Sequence, residues 1–214
     1  MAQKAEELKF KFISFNDHFG PLGITNPLDE RRLRRYLQEI SKVQKKVGLK
    51  VFSGVEIDIL KDGTLPLPAK RLKGLDVVIA SVHLALKMDS PDMTKRVCRA
   101  LNDYPVNILG HPLGRLLGER EPSASDLGKI FEAAKARNVF LEINSSPKRM
   151  DLPGEYIKAG RDTGCKFALG TDAHDVSHLP YYFLGMNMAR RGWIQQNHLL
   201  NTWHLGKIEK ALQK

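Results

Sequence analysis

A chain of 214 residues suits one sizeable domain and is short for two ordinary ones. Hydrophobic residues make up 42% of it and charges interrupt every apolar segment, so we expect a packed core and exclude both wholesale disorder and a membrane span. The formal net charge of +10 favours polyanionic partners such as nucleic acid or phosphorylated ligands.

The N-terminal segment and the cysteines indicate the cellular setting. The first residues, "MAQKAEELKFKF", lack the apolar region of a signal peptide. Cys98 and Cys165 have no CxxC spacing and lie among apolar neighbours, which is typical of reduced core thiols. We therefore expect a cytoplasmic protein without membrane contact.

Short apolar segments alternate with helical segments along the chain. A first strand precedes an amphipathic helix from about Leu28 to Val47, whose basic face suits solvent at least as well as DNA. In chain order the predicted strands have the sequences "FKFISF", "KVFSGVEIDIL", "DVVIASV", "VNILG", "VFLEIN" and "KFALG". The later helices have the sequences "PAKRLKG", "SPDMTKRVCRALND", "SASDLGKIFEAAKARN" and "PGEYIKAGRDTG", and the rest is mainly helical.

The order of these elements predicts an α/β fold with a parallel sheet covered by helices. Strands that are apolar on both faces are typical of such sheets, in a barrel or an open doubly wound arrangement. Ser90 and Pro91 suit the N-cap and first position of one helix, and Gly164 suits the end of another. Right-handed crossovers would place all the strand carboxyl ends on one side.

Polar residues follow each of these strands. The strand ends read "NDH" (16–18), "EID" (56–58), "SVH" (81–83), "GHP" (110–112), "EIN" (142–144) and "TDAH" (171–174), and they carry four of the seven histidines. In barrels and open sheets this rim is where ligands bind. Imidazoles and carboxylates without thiolates suit Zn, Mn or Fe better than Ca or Mg.

Each strand end taken alone has a simpler interpretation. His83 suits a hydrogen-bonded, half-buried imidazole, and His111 suits a surface turn. Asp172 suits a helix cap, and Glu56 suits a salt bridge. The conjunction favours metals, because so many carboxylates at one rim would repel one another without cations.

The motifs resemble the PHP (polymerase and histidinol phosphatase) superfamily, and most of all the C-terminal PHP domain of bacterial and archaeal family X DNA polymerases. The resemblance rests on "FNDH", "GVEIDILKDGTLPLP", "DVVIASVH", "NILGHPLGRLLGEREP", "LEINSSPKRMDLP", "GTDAH" and "LNTW", which run in order across nearly the whole chain. It implies a distorted TIM-like (β/α)7 barrel with three metal ions at the strand carboxyl ends. In the polymerases it implies 3′–5′ exonuclease or related chemistry on DNA ends.

The resemblance also implies which residues form the site. The implied metal ligands are His18, Glu56, His83, His111, Asp172 and His174. All of them except His18 are also implied to be catalytic. Glu56 is the implied bridging ligand, and it forms one ion site with His83 and His111. Four basic residues just past strand ends are implied to bind substrate phosphate, although a surface or ion-pair role suits them equally: Arg115, Arg120, Lys148 and Arg149.

The sequence departs from the family at its beginning. The family's first strand ends in His-x-His, and no H-x-H occurs in these 214 residues. We therefore expect a single PHP domain over 1–214, truncated at its N-terminus, with about six strands, no polymerase domain and fewer than three ions (Zn or Mn, or Fe). A fragment or mis-started frame, a natural short form and a degenerate DNA-binding or polymerase-docking module all remain open.

The sequence leaves three candidate functions open, and it also predicts a partner that completes the barrel. The first is a metal-dependent phosphoesterase acting on DNA ends. The second is a non-catalytic module that binds DNA or a polymerase partner, and the third is a phosphatase of small phosphomonoesters. Because a missing barrel strand exposes two sheet edges, a polymerase domain, a homodimer or another partner chain is expected to complete the barrel.

Overall fold

Six parallel strands form one curled sheet in the computed structural model, which describes residues 1–21 and 27–214. Each strand pairs with the next one along the chain, so the spatial order is the sequence order. The strands are β1 (Phe12–Phe19), β2 (Lys50–Asp58), β3 (Val77–Ser81), β4 (Ile108–Leu109), β5 (Phe140–Asn144) and β6 (Phe167–Gly170). The predicted α/β fold of about six parallel strands is confirmed, as a half-barrel.

Helices precede, connect and follow the strands of the sheet. Within the described residues they are α1 (Ala2–Glu7), α2 (Glu30–Gln44), α3 (Ala69–Leu72), α4 (Ser90–Asp103), α5 (Leu127–Ala136), α6 (Gly154–Thr163), α7 (Tyr182–Arg191) and α8 (Leu205–Leu212). Three 3₁₀ segments follow β6, at Val176–Tyr181, Gln196–His198 and Leu200–Thr202. In the described part of the chain, no helix is both long and apolar enough to cross a membrane.

Alternate strand residues divide the core into two layers. The outward-facing set, such as Val55, Val78 and Leu141, packs with the helices in the larger cluster. The inward-facing set packs near the amino ends of the strands against Leu200 and Leu212. Because successive side chains of a strand point to opposite faces, each strand contributes to both layers. The inner apolar layer lies near the amino ends of the strands, so polar side chains can occupy the inner face at the carboxyl ends.

Aspartates begin three of the helices. Asp29, Asp89 and Asp126 each accept a hydrogen bond from a backbone N–H in the first turn, at 2.7, 2.9 and 3.2 Å. The prediction that Ser90 is an N-cap is wrong, because Asp89 takes that position and Ser90 is the first helical residue. A carboxylate also interacts favourably with the positive end of the helix. Gly164 ends α6 in the left-handed conformation (φ 100°), as predicted.

The two edge strands, β1 and β6, differ in how their outer edges are covered. The Asn201 side chain accepts a hydrogen bond from Leu169 N–H (2.7 Å) and donates one to the Leu169 carbonyl (3.0 Å). β1 has only one isolated bridge on that side among the described residues, from Phe19 to Leu28. A cavity of about 1210 Å³ lies inside the curl, lined by residues of both edge strands.

Candidate metal centre

Three imidazoles meet one carboxylate at the carboxyl ends of β1 to β4. The parallel register places His18 beside Glu56, and His83 and His111 follow the ends of β3 and β4. Glu56 Oε1 lies 3.0 Å from His111 Nε2 and 3.3 Å from His83 Nε2, and those two nitrogens are 3.2 Å apart. Glu56 Oε2 faces the other way, 3.5 Å from His18 Nδ1.

These distances fit a divalent ion with nitrogen and oxygen ligands. Zn–N and Zn–O bonds of 2.0–2.1 Å in a tetrahedron place neighbouring ligand atoms roughly 3.3 Å apart. The triangle formed by Glu56, His83 and His111 has edges of 3.0, 3.2 and 3.3 Å. The ligand atoms of His18, Glu56 and His83 also lie within 4.8 Å of one another. This chain therefore carries a donor set suited to a metal.

A buried carboxylate orients the His83 ring. Asp58 Oδ1 lies 2.6 Å from His83 Nδ1, and Asp58 is only 2% exposed. The hydrogen bond from Nδ1 to Asp58 fixes the ring so that Nε2 faces the Glu56 oxygen, which is the arrangement found behind metal-binding histidines. Burial lowers the pKa of His83, but the hydrogen bonds with Asp58 and Glu56 outweigh it and raise the pKa to about 9.

The remaining charges of this cluster also suit a cation. Burial opposes ionisation of Glu56, yet the hydrogen bonds with His111 and His83 hold the pKa of this carboxyl well below its usual value. Burial lowers the pKa of His18, which favours the neutral imidazole that binds metals. His18 Nδ1 is buried and has no hydrogen-bond partner among the residues that the structure describes. Such a nitrogen is costly unless a ligand satisfies it.

Acidic residues also meet at the ends of β5 and β6. Glu142 Oε2 accepts hydrogen bonds from His111 N–H (2.6 Å) and Asn144 Nδ2 (3.3 Å). Asp172 Oδ2 accepts from Asn144 Nδ2 (3.3 Å) and Arg149 Nε (3.1 Å). Burial, together with the nearby carboxylates of Asp172 and Glu56, raises the pKa of Glu142 to about 8.

His111 and Asp172 share an unusual backbone conformation. Their φ angles are +25° and +51°, in the left-handed region that residues with a side chain rarely adopt. Such strain costs about 1–3 kcal/mol per residue and concentrates at functional sites. Each residue lies two positions past the end of a strand, so the strain lies where the chain turns over the rim.

His174 is the predicted ligand that lies farthest out. Its side chain is 65% exposed, and Nδ1 lies 2.9 Å from the Asp172 carbonyl oxygen and 3.6 Å from Asp172 Oδ1. Its ring centre is 6.1 Å from that of His18. The structure therefore brings together His18, Glu56, His83 and His111, with Asp172 on the neighbouring strand and His174 at the rim.

The four predicted phosphate-binding residues occupy different settings. Arg115 donates through Nε and Nη2 to the carbonyls of Arg149 and Met150, and Arg120 donates to the carbonyl of Gly114 (2.8 Å). Lys148 is exposed. Arg149 Nη1 is buried and lacks a hydrogen-bond partner in the described part of the chain. These contacts leave Arg149 as the cation best placed beside the acidic rim.

Three residues of the site were missed as site residues at the sequence level. Asp58, Glu142 and Asn144 occupy inward-facing strand positions and are 2%, 6% and 1% exposed. Carboxylates are rarely so buried without a partner. A signal was present, because "EID" and "EIN" place polar residues two apart at the ends of apolar strands. The partners of these residues depend on neighbouring strands, which one sequence does not reveal.

Comparison with protein families and with curated proteins gives consistent matches. Residues 1–146 match the model of the PHP domain family. The chain is 32% identical over 215 residues to the DNA polymerase/3′-5′ exonuclease PolX of Bacillus subtilis, a match that covers all of this chain and 38% of that protein. It is 30% identical over 190 residues to a probable phosphatase of Thermoanaerobacter sp., covering 84% of this chain and 75% of the relative.

A solved structure shares the fold. The histidinol phosphate phosphatase of Lactococcus lactis, complexed with zinc, L-histidinol and phosphate, superposes with a TM-score of 0.63 at 18% identity. The match covers 90% of this chain and 86% of that one. The half-barrel thus corresponds to most of a barrel of this type, and the chain spans well under half the length of the PolX relative.

Proposed function

The chain belongs to the PHP domain family of metal-dependent phosphoesterases, and we propose that it hydrolyses phosphate esters at DNA 3′ ends. The observation that carries the proposal is the triangle of Glu56 Oε1, His83 Nε2 and His111 Nε2, with edges of 3.0 to 3.3 Å. These three residues would hold one divalent ion, either Zn, Mn or Fe, because the donor set contains imidazoles and a carboxylate without thiolates.

Glu56 would connect this ion position to a second one. Its Oε1 faces His83 and His111, whereas its Oε2 faces His18, so the two oxygens serve different imidazoles. When bound, such ions lower the pKa of a coordinated water and offset negative charge on a phosphate ester. Asp172 and His174 complete the rim on the β6 side, and the number of ions is set by how many of these groups engage.

The protein side chains bind and orient the substrate. Arg149 is held at the acidic rim by Asp172 through Nε, and its side chain remains 15% exposed. A guanidinium so fixed is suited to a phosphate oxygen. Asp58 keeps the His83 ring in one orientation, and the strained turns at His111 and Asp172 direct both side chains over the rim.

DNA ends are the favoured substrate for two reasons. The chain is similar along its whole length to part of a DNA polymerase/3′-5′ exonuclease, and its net charge of +10 attracts a polyanion. A small phosphomonoester is the second candidate, because other relatives of the chain are named probable phosphatases. A non-catalytic module that binds DNA or a polymerase is the third.

The proposal includes one domain over 1–214 and a strand that closes the barrel. The described residues share one sheet, and a cavity of about 1210 Å³ lies between β1 and β6. A strand from another chain segment, a polymerase domain or a second copy would pair with the outer edge of β1 and fill this space. Sedimentation of the chain alone and with a polymerase domain tests this point, and a strictly monomeric, stable protein that binds neither argues against it.

The function is tested by offering both substrate classes to the same protein. Metal-stripped protein is reloaded with Mn²⁺ or Zn²⁺ and incubated with 5′-labelled single-stranded DNA or with p-nitrophenyl phosphate. We expect stepwise shortening from the DNA 3′ end that a chelator stops. The variant Glu56→Gln should reduce the rate by at least about a hundredfold, because it removes the charged bridging oxygen. Glu132→Gln, on an exposed face of α5, is the matched control.

The outcomes separate the three candidates. Faster hydrolysis of the phosphomonoester than of DNA identifies a small-molecule phosphatase. Salt-sensitive DNA binding without turnover under either metal identifies a binding module. Turnover that Glu56→Gln leaves intact contradicts the proposed centre altogether.

A further inference from the structure

β5 supplies none of the predicted metal ligands, yet its end carries two buried polar side chains. Glu142 and Asn144 are 6% and 1% exposed and occupy alternate positions on the inner face. The strand lies between β4, which leads to His111, and β6, which leads to Asp172. Buried carboxyl and amide groups cost free energy unless their hydrogen bonds compensate, so the partners of these two groups are informative.

Glu142 supports the backbone turn that presents His111. Its Oε2 accepts the His111 N–H at 2.6 Å, and His111 has a φ of +25°. A residue with a side chain keeps such a conformation only where its surroundings hold it. The other oxygen, Oε1, lies against Gly170, where a Cβ would collide with it. The carboxyl group is therefore fixed on both sides.

Asn144 connects this support to the neighbouring strand. Its Nδ2 lies 3.3 Å from Glu142 Oε2 and 3.3 Å from Asp172 Oδ2, so its two protons serve both acids. Its Oδ1 accepts the Ser146 N–H at 3.0 Å, which fixes which end of the amide faces the acids. One side chain thus links the groups behind His111 and Asp172.

We propose that Glu142 and Asn144 are positioning residues that hold His111 and Asp172 in the geometry required for metal binding. The role rests on the proposed phosphoesterase function, since it acts through the metal ligands. Glu142 fixes the turn after β4 by accepting the His111 N–H. Asn144 donates hydrogen bonds to both Glu142 and Asp172, and so fixes the Asp172 side chain after β6. Because both act through the metal ligands, they affect metal affinity before they affect the reaction.

The test is a Zn²⁺ titration of the metal-stripped whole chain by calorimetry, with a competing chelator if binding is tight. Glu142→Ala removes the acceptor for His111 N–H, and we expect the Zn²⁺ dissociation constant to rise about 10- to 100-fold. Glu142→Gln keeps an acceptor oxygen of the same reach and should stay within about threefold of the parent. Glu132→Ala, an exposed carboxylate of α5, is the control and should not change the affinity.

Asn144→Ala provides a second variant in case Glu142→Ala does not fold. It keeps both acids and removes the link, and we expect at least about a threefold loss of Zn²⁺ affinity. The inference fails if both Ala variants bind Zn²⁺ like the parent, or if Glu142→Gln loses as much affinity as Glu142→Ala, since the carboxylate itself would then be the ligand. A parent chain that binds no Zn²⁺ contradicts the proposed function instead, so the two failures are distinct.

Discussion

Single residues decide whether the rim can bind a metal, and Asp58 illustrates this at the smallest scale. The His83 ring has two nitrogens, and a metal needs the lone pair of one of them. Asp58 lies 2.6 Å from Nδ1 and accepts a hydrogen bond from it, so Nε2 is the nitrogen that faces Glu56 and the candidate metal position. A carboxylate at 2% exposure is costly, and this hydrogen bond is the compensation that the structure offers.

Replacing Asp58 should therefore weaken metal binding without abolishing the fold. We expect Asp58→Asn to raise the Zn²⁺ dissociation constant about 10- to 100-fold, because an amide holds the ring less firmly and stabilises the bound form less. Isothermal titration of metal-stripped protein measures this. Asp103→Asn, whose carboxylate is 55% exposed in an ion pair with Arg99, is the control. An unchanged affinity in Asp58→Asn would contradict a role behind His83.

At the scale of single elements, the ends of helices and strands carry the local specificity. Asp89 begins α4 by accepting a hydrogen bond from Asp92 N–H at 2.9 Å, while Ser90 lies inside the first turn. We expect Asp89→Ala to lower the free energy of unfolding by about 1 kcal/mol and Ser90→Ala to change it by less than about 0.5 kcal/mol. Urea denaturation of both variants measures the difference, and equal losses would contradict the assignment of the cap.

The outer edge of β6 depends on a side chain in place of a strand. Asn201 bonds both the N–H and the carbonyl of Leu169, as a neighbouring backbone would. Asn201→Ala leaves both groups without this partner, so we expect a loss of about 1–3 kcal/mol in the free energy of unfolding. Chemical denaturation tests this against Asn197→Ala, which lies at an exposed position. A loss no larger than that of the control would show that water replaces the amide.

Strands and helices were predictable from the sequence where apolar residues recur at a regular spacing or where a known end motif is present. The six strands and the helices between them follow from apolar segments alternating with amphipathic ones, and Gly164 ends α6 as its sequence indicates. The Ser90 cap was wrong because two adjacent residues, Asp89 and Ser90, both suit an N-cap, and the position of the first helical turn decides between them. The strand-end histidines were predictable as a group. The roles of Asp58 and Glu142 were not, because their partners come from other strands.

At the scale of the whole molecule, the candidate centre ties the sheet together. His18, Glu56, His83 and His111 come from β1 or from the ends of the next three strands, and Asn144 and Asp172 extend the network to the last two. Among the described residues no further strand pairs with the outer side of β1 or β6, so contacts across the open rim matter more than in a closed barrel. An ion held by side chains from several strands would restrain all of them at once.

Metal binding should therefore raise the stability of the entire chain. A ligand that binds only the folded state adds about 2.7 kcal/mol at a free concentration of 100 times its dissociation constant. We expect Zn²⁺ at that excess to raise the free energy of unfolding by this amount, and a chelator to reverse it. Glu56→Gln should lose most of this gain in stability, because it removes the negative charge that lies among His18, His83 and His111 at the proposed Zn²⁺ position. If unfolding of the parent and of this variant respond equally to Zn²⁺, the ion binds elsewhere and the rim is not the metal centre.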